Sequence, residues 1–309
     1  MNATRLILLV GVLLGTSASV YGQNPKWKIQ DQTVAEWAKQ LRSMDADERL
    51  EAVSVLRFAG VHATVALAPL IVCLQDEDAR IRRNAAVAIG RIGPKAKSAV
   101  PGLTKLLGDS EPVVRNNALQ ALGRIGPSAK SATSALAPLF EDSTELLRVR
   151  AMETLLLIDP SQKRAAIERL QAYLGNEIND TEIRLEAVLI LSRHDVAAAK
   201  AGQPLLAAAW ETSENLQKVR IAVAWCRIDP TQTMRMLPIM EKMIENIEES
   251  ERARIEAISA LHQLAPKRLP DVTGQLVEWS KSGTDAVRLA AMETLWQISP
   301  KAAQTAGIP

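Results

Sequence analysis

The residues able to do chemistry are few and scattered. Three histidines, His62, His194 and His262, are the only imidazoles that could act as general bases or metal ligands. His194 is followed by Asp195, the one side-by-side arrangement resembling an acid–base couple. It falls at the end of a helical run, where a turn residue interacting with the helix end accounts for it. A transition-metal site needs several nitrogen or sulfur ligands converging on one point. The histidines are separated by long stretches of chain, so no metal and no cofactor is expected. Cys73 and Cys226 sit in apolar helical runs and read as buried free thiols. The chain has no Gly-x-Gly-x-x-Gly, no Walker-type phosphate loop and no Gly-x-Ser-x-Gly elbow. No catalytic residue can be assigned, and a non-enzymatic role is expected.

The elements that would position any site form a repeat. Asp78 to Pro94 and Glu111 to Pro127 lie 33 residues apart and share a frame of an apolar residue, Arg, two variable residues, Ala, then Leu or Ile and a closing Gly-Pro. Taking the basic residue as an anchor gives eight copies, at Arg49, Arg82, Arg115, Arg148, Arg184, Lys218, Arg254 and Arg288. Three residues after the anchor, seven copies have alanine and the sixth has Ile221. Seven residues after it stands a large apolar residue, and twelve after it six copies have proline. Apolar positions three, four, seven and ten after the anchor form one helical stripe. The alanine admits a close neighbour, and the proline ends the first helix and helps begin a second. A second stripe follows, Leu67, Leu70, Ile71 and Leu74 in copy one. Each copy is thus two antiparallel helices.

Those columns decide the remaining candidates. Met236, Met240 and Met243 could form an adaptable binding stripe, but they occupy columns held by Leu67, Ile71 and Leu74 in copy one, and so read as core. Trp225 and Trp279 also fall on core columns. Arg91, Arg124, Arg193 and Arg227 share the column nine after the anchor and read as a solvated outer face near helix C-termini. Asp76, Asp109 and Asp142, six residues before their anchors, are expected to link neighbouring copies through the anchor arginines.

The run Val-Arg-x-x-Ala-x-x-x-Leu-Gly-x-Ile-Gly-Pro at Val114 to Pro127 resembles the HEAT family, and within it the HEAT-like repeats of phycobilisome lyases. The resemblance covers roughly residues 33 to 300. It implies an all-α fold, an α-α superhelix of about eight two-helix repeats. It also implies that the second helices line the concave side. From copy four onward the spacings lengthen to 36, 34, 36 and 34 and glycine is lost from the helix end, which leaves the local curvature open. A HEAT-like hydroxylase family uses His-Glu pairs as di-iron ligands, and this chain contains no His-Glu pair. Stacking at about 10 Å per layer would make a curved rod on the order of 80 Å long. Residues 33 to 43 read as a lone second-type helix capping one end, and the truncated last copy as the other cap.

On the expected concave side, residues 63 to 74 contain no charge. Val65, Ala68 and Val72 stand opposite the core stripe there, whereas later copies have Ser98 and Lys105, then Ser131 and Ser134. A helix apolar all round is normally covered, either by a partner or by residues 23 to 32 folding back. The three residues are the candidate partner-binding site.

The first 22 residues differ in kind. Arg5 is their only charge, Leu6 to Leu14 is apolar apart from Gly11, and small residues follow, which is the order of a secretory signal. Cleavage is expected after Ala18 or Gly22. The apolar run is shorter than the roughly 20 residues of a membrane span. The division is then 1–22 signal, 23–32 linker, 33–300 solenoid and 301–309 tail. Across all 309 residues, hydrophobic content is 47% but aromatics only 3%, so small and aliphatic side chains must build the core. The formal net charge of +2 lacks the basic excess typical of nucleic-acid binders. The expected protein is a periplasmic or secreted scaffold, a monomer with no membrane span after signal removal. It would bind a protein or peptide and no nucleic acid. The resemblance alone suggests two alternatives, a bilin lyase-like subunit and a nucleic-acid-binding HEAT-like protein.

Overall fold

The computed structural model describes residues 28–29 and 32–308. The predicted signal, residues 1–22, and most of the linker lie outside the described residues. The described chain starts with two short strands, β1 (Lys28–Ile29) and β2 (Gln32–Thr33), paired antiparallel. Helix α1 (Val34–Gln40) follows, started by a capping box between Thr33 and Glu36. It buries Val34, Trp37, Ala38 and Leu41 against copy one, as an end cap must.

Eight first-type helices then appear where the anchors place them. They are α2 (Ala46–Leu56), α4 (Ala79–Ile92), α6 (Pro112–Ile125), α7 (Glu145–Ile158), α9 (Thr181–His194), α12 (Asn215–Ile228), α14 (Glu251–Leu264) and α16 (Asp285–Ile298). Side chains of Asp45, Asp78, Asp180, Ser250 and Thr284 cap five of them, and Pro112 opens α6. The column three after the anchor has no exposed surface in any copy, from Ala52 to Ala291 and including Ile221. The large column is also buried, except Trp225, which is half-buried edge-on to Trp210.

The second helices are less regular. Copies one and two enter theirs through 3-10 turns, Gly60–Ala66 and Gly93–Ala99, before α3 (Leu67–Cys73) and α5 (Val100–Leu106). In copy three the whole segment Gly126–Glu141 is 3-10, with Pro138 inside it removing a backbone donor. The turn between first and second helices uses two chemistries. Gly60, Gly93 and Gly126 adopt positive φ in copies one to three. Where that glycine is lost, Asp159, Asp195, Asp229 and Ser299 take extended backbone and cap the next helical turn through their side chains. The changed spacing therefore alters how each copy turns without abolishing the turn.

Neighbouring copies are tied by a ladder of ion pairs. Arg49 meets Asp76 at 2.7 Å, Arg82 meets Asp109 at 2.7 Å and Arg115 meets Asp142 at 3.0 Å. The acidic residues are those expected, but each carboxylate takes the anchor of the preceding copy. The anchor of its own copy instead donates to its backbone carbonyl, as Arg82 does to Asp76 (2.8 Å) and Arg115 to Asp109 (2.8 Å). Further along, Arg184 and Arg254 donate to the carbonyls of Leu174 and Ile244, and Arg254 lies over the Trp279 ring at 5.0 Å.

The array is not an open rod. Successive first helices lie against one another so closely that a Cβ on Gly90 of α4 would stand 2.9 Å from Ala121 Cα of α6. The chain bends toward that tight side until α16, in the last copy, crosses the first helices of copies one to three. Arg57 pairs with Asp285, and Arg91 and Arg124 both reach Glu293, at 2.6 and 3.3 Å. Phe58 of copy one packs against the apolar cluster of the last copies. The segment read as a tail begins as a helix, α17 (Pro300–Thr305), and buries Ala303 and Ile308. No described helix is long and apolar enough to cross a membrane.

Candidate functional site

Copy one presents the patch singled out in the sequence. Its 3-10 turn and α3 bury Ala63, Ala66, Leu70, Cys73 and Leu74 against the array. The opposite positions Val65, Ala68 and Val72 are exposed, Val65 by 51% and Val72 by 68%. None of the described residues covers them. Their expected placement on the concave side is overturned, however. The first helices line the inner side, because Asp285 and Glu293 of α16 reach Arg57, Arg91 and Arg124 at the first helices of copies one to three. The patch therefore faces outward. Ser98, Lys105, Ser131 and Ser134 continue the same exposed side and replace its apolar positions with polar ones after copy one.

The inner side is charged, and the arginine column belongs to it. Arg91 has a side chain only 9% exposed, facing Glu293 rather than bulk water. Burial pushes its guanidinium below its ordinary value, Glu293 opposes this, and Arg124 adds to it. Burial, with the charges of Arg83, Arg288 and Arg91, likewise lowers that of Arg57. Further along, Arg193 meets Glu153 at 2.6 Å and Arg227 donates to Gln263 at 3.1 Å. The reading of this column as a solvated outer face is thus corrected. Its residues line the bend, where the last copy supplies the partner of Arg91 and Arg124 and an adjacent copy supplies those of Arg193 and Arg227. Its carboxylate partners Glu293 and Glu153, like Asp285 and Glu186 elsewhere on the inner side, passed unnoticed in the sequence. The signal that could have found them is their columns: Glu153 and Glu293 stand five after their anchors and Glu186 two after.

Glu186 is the most enclosed of these carboxylates, held by Arg150 at 2.9 Å and Arg220 at 2.6 Å. Burial opposes its ionisation. The charges of Arg150 and Arg220, together with the Arg220 hydrogen bond, outweigh that and hold the carboxyl below its usual range.

The other candidates take structural places. Asp195 directs its carboxylate to the N–H of Ala198 at 3.0 Å, capping the helical turn at Val196–Ala199 rather than orienting His194. Burial lowers the pKa of His194. Cys73 and Cys226 are free and buried, and burial raises both thiols, Cys73 to about 11. Met236, Met240, Met243 and Trp279 are core. Among the described residues no group of three or more His, Cys, Asp or Glu is placed to hold a metal ion.

A family model for HEAT repeats matches residues 34–99 and 94–157. No curated protein matches the sequence. Among solved structures, the complex of CpcE and CpcF of phycocyanin lyase from Nostoc is 20% identical, covering 93% of this chain and 96% of that one with a TM-score of 0.43. A designed armadillo repeat protein is 20% identical over 75% of this chain and 99% of its own, with a TM-score of 0.42. Human deoxyhypusine hydroxylase in complex with glycerol is 19% identical over 87% and 96%, with a TM-score of 0.37.

Proposed function

We propose that this α-α superhelix of HEAT-like repeats is an exported, non-enzymatic scaffold. In this reading it is a monomer that docks a protein or peptide partner on the outer face of copy one. The observation that carries the reading is the exposed, uncharged surface of Val65, Ala68 and Val72, on a helix whose other face is fully committed to the core. Two valines covered by a partner stabilise a complex by roughly 1.5–3 kcal/mol each when fully buried. Export rests on Arg5 followed by the apolar run to Leu14 and the small residues after it.

The test is the double substitution Val65→Lys and Val72→Lys, with the partner first captured from the envelope fraction of the native cell. Both positions are exposed, so melting should shift little while capture is lost. Retained capture with unchanged melting would place the interface elsewhere. N-terminal sequencing of the exported protein should show a chain beginning after Ala18 or Gly22; a membrane-bound species retaining Met1 would remove the export half of the reading. Light scattering on the mature chain should return one chain mass.

A further inference from the structure

The inner arginines are held by the protein's own last copy, and that contact differs in kind from the packing between repeats. Asp285 and Glu293 remain 48% and 43% exposed, and a cavity of about 380 Å³ persists between the two ends. Repeat contacts, by comparison, bury their small column completely. The charges at the contact are also unequal: three cations of the first copies (Arg57, Arg91, Arg124) face two anions of α16 (Asp285, Glu293), an excess of one, and Arg288 of α16 draws on Asp285 as well. Arg57 and Arg288 lie against the Phe58 ring at 5.0 and 4.7 Å, which fixes two guanidiniums at the cavity wall. On the ridge, the Nε of Arg91 is shielded from solvent and finds no acceptor among the described residues. The ridge therefore has a donor and positive charge beyond what α16 satisfies.

We propose that the first helices of copies one to three carry a recognition surface for an acidic peptide segment, and that α16 occupies it as an internal stand-in, closing the superhelix. Asp285 and Glu293 occupy the places that carboxylates of the ligand take when α16 swings away. Guanidinium pairs suit carboxylates because the planar fork donates two parallel hydrogen bonds. Apparent affinity for the peptide is the intrinsic affinity reduced by the fraction of molecules that are open. This surface is distinct from the outer patch at Val65 and Val72, so the outer-patch variant leaves it intact and the two readings fail separately.

The experiment compares the full mature chain with Asp285→Asn/Glu293→Gln, reading the radius of gyration by small-angle scattering and the binding of a fluorescent poly-L-glutamate peptide. The variant is expected to expand and to bind the peptide at least about tenfold more tightly, the gain following the open fraction. Adding Arg57→Gln and Arg124→Gln to that variant should abolish the gain. Should the amide pair lose helicity by circular dichroism, Glu293→Lys alone, which sets a third cation beside Arg91 and Arg124, is read in the same way. Expansion without a gain in affinity overturns the proposal, as does a gain that survives loss of the arginines. No expansion of a folded variant overturns the stand-in role, and a gain for a single-stranded oligodeoxynucleotide but not for poly-L-glutamate overturns the assigned ligand.

Discussion

At the scale of single residues, the two arginine series look alike in sequence but sit in different surroundings. Arg115 and Asp142 are 12% and 10% exposed, and Arg115 also donates to the carbonyls of Asp109 and Ser110. Removing that guanidinium leaves a nearly enclosed carboxylate without its partner. Arg124 is half exposed, and its pair with Glu293 is solvated. Arg115→Ala is expected to cost about 2–3 kcal/mol and Arg124→Ala under about 1 kcal/mol, compared by denaturant titration; equal costs would refute the assignment. The enclosed carboxylates also set an acid limit. Burial opposes ionisation of Asp109, but hydrogen bonds from Arg82 and the Glu111 N–H, with the arginine charges, hold it below its usual range; Glu186 is held down likewise. A depressed folded-state pKa contributes stability that is complete above the unfolded carboxylate value of about 4. That stability is lost as pH falls through the lower folded values. Glu186→Gln should therefore destabilise at pH 7, leaving Arg220 without a carboxylate partner and Arg150 with Glu153 alone, and should flatten the fall in melting temperature below about pH 4. An unchanged acid slope would show that Glu186 does not contribute.

At the scale of elements, the close contact between α4 and α6 rests on Gly90. An alanine there improves helix propensity by up to about 1 kcal/mol, yet its Cβ would meet the Ala121 backbone at 2.9 Å. Backbone cannot rotate aside as a side chain can, so the helices must separate. Gly90→Ala should destabilise by about 1–3 kcal/mol, read by thermal or urea unfolding. Stabilisation would mean that α4 and α6 are farther apart than described. The turn chemistry has its own consequence: Gly93, at φ +72°, accommodates a conformation that L side chains rarely adopt, whereas the Asp turns of later copies avoid it. The loss of glycine after copy three is thus a change of capping device rather than the end of the repeat.

At the scale of the molecule, a solenoid's stability is close to a sum over copies and their neighbours, but closure adds contacts between copies that are remote in sequence. Two forces hold it: the apolar seat of Phe58 and the pairs made by Asp285 and Glu293. The second is half exposed, so salt should weaken it while leaving the buried repeat contacts intact. Raising ionic strength from about 0.05 M to 1 M should increase the radius of gyration of the wild-type chain without loss of helical signal. A radius independent of salt would show that Phe58 alone holds the ends together.

The sequence by itself determined the periodic parts of this protein. Anchor, alanine and proline columns placed all eight first helices, because burying one stripe per helix at helical spacing leaves little choice of register. The same columns assigned the methionines and Trp279 to the core, and the uncharged stretch in copy one marked a surface that is exposed. Tertiary structure alone decided which side of the array is inner. That depends on how closely neighbouring helices approach, as Gly90 does to Ala121, and a small bend per copy accumulates over eight copies. It therefore also decided that Val65, Ala68 and Val72 face outward and that Arg91 is buried against Glu293, 202 positions away. No local pattern encodes a contact of that separation; it exists only once the curvature has been summed.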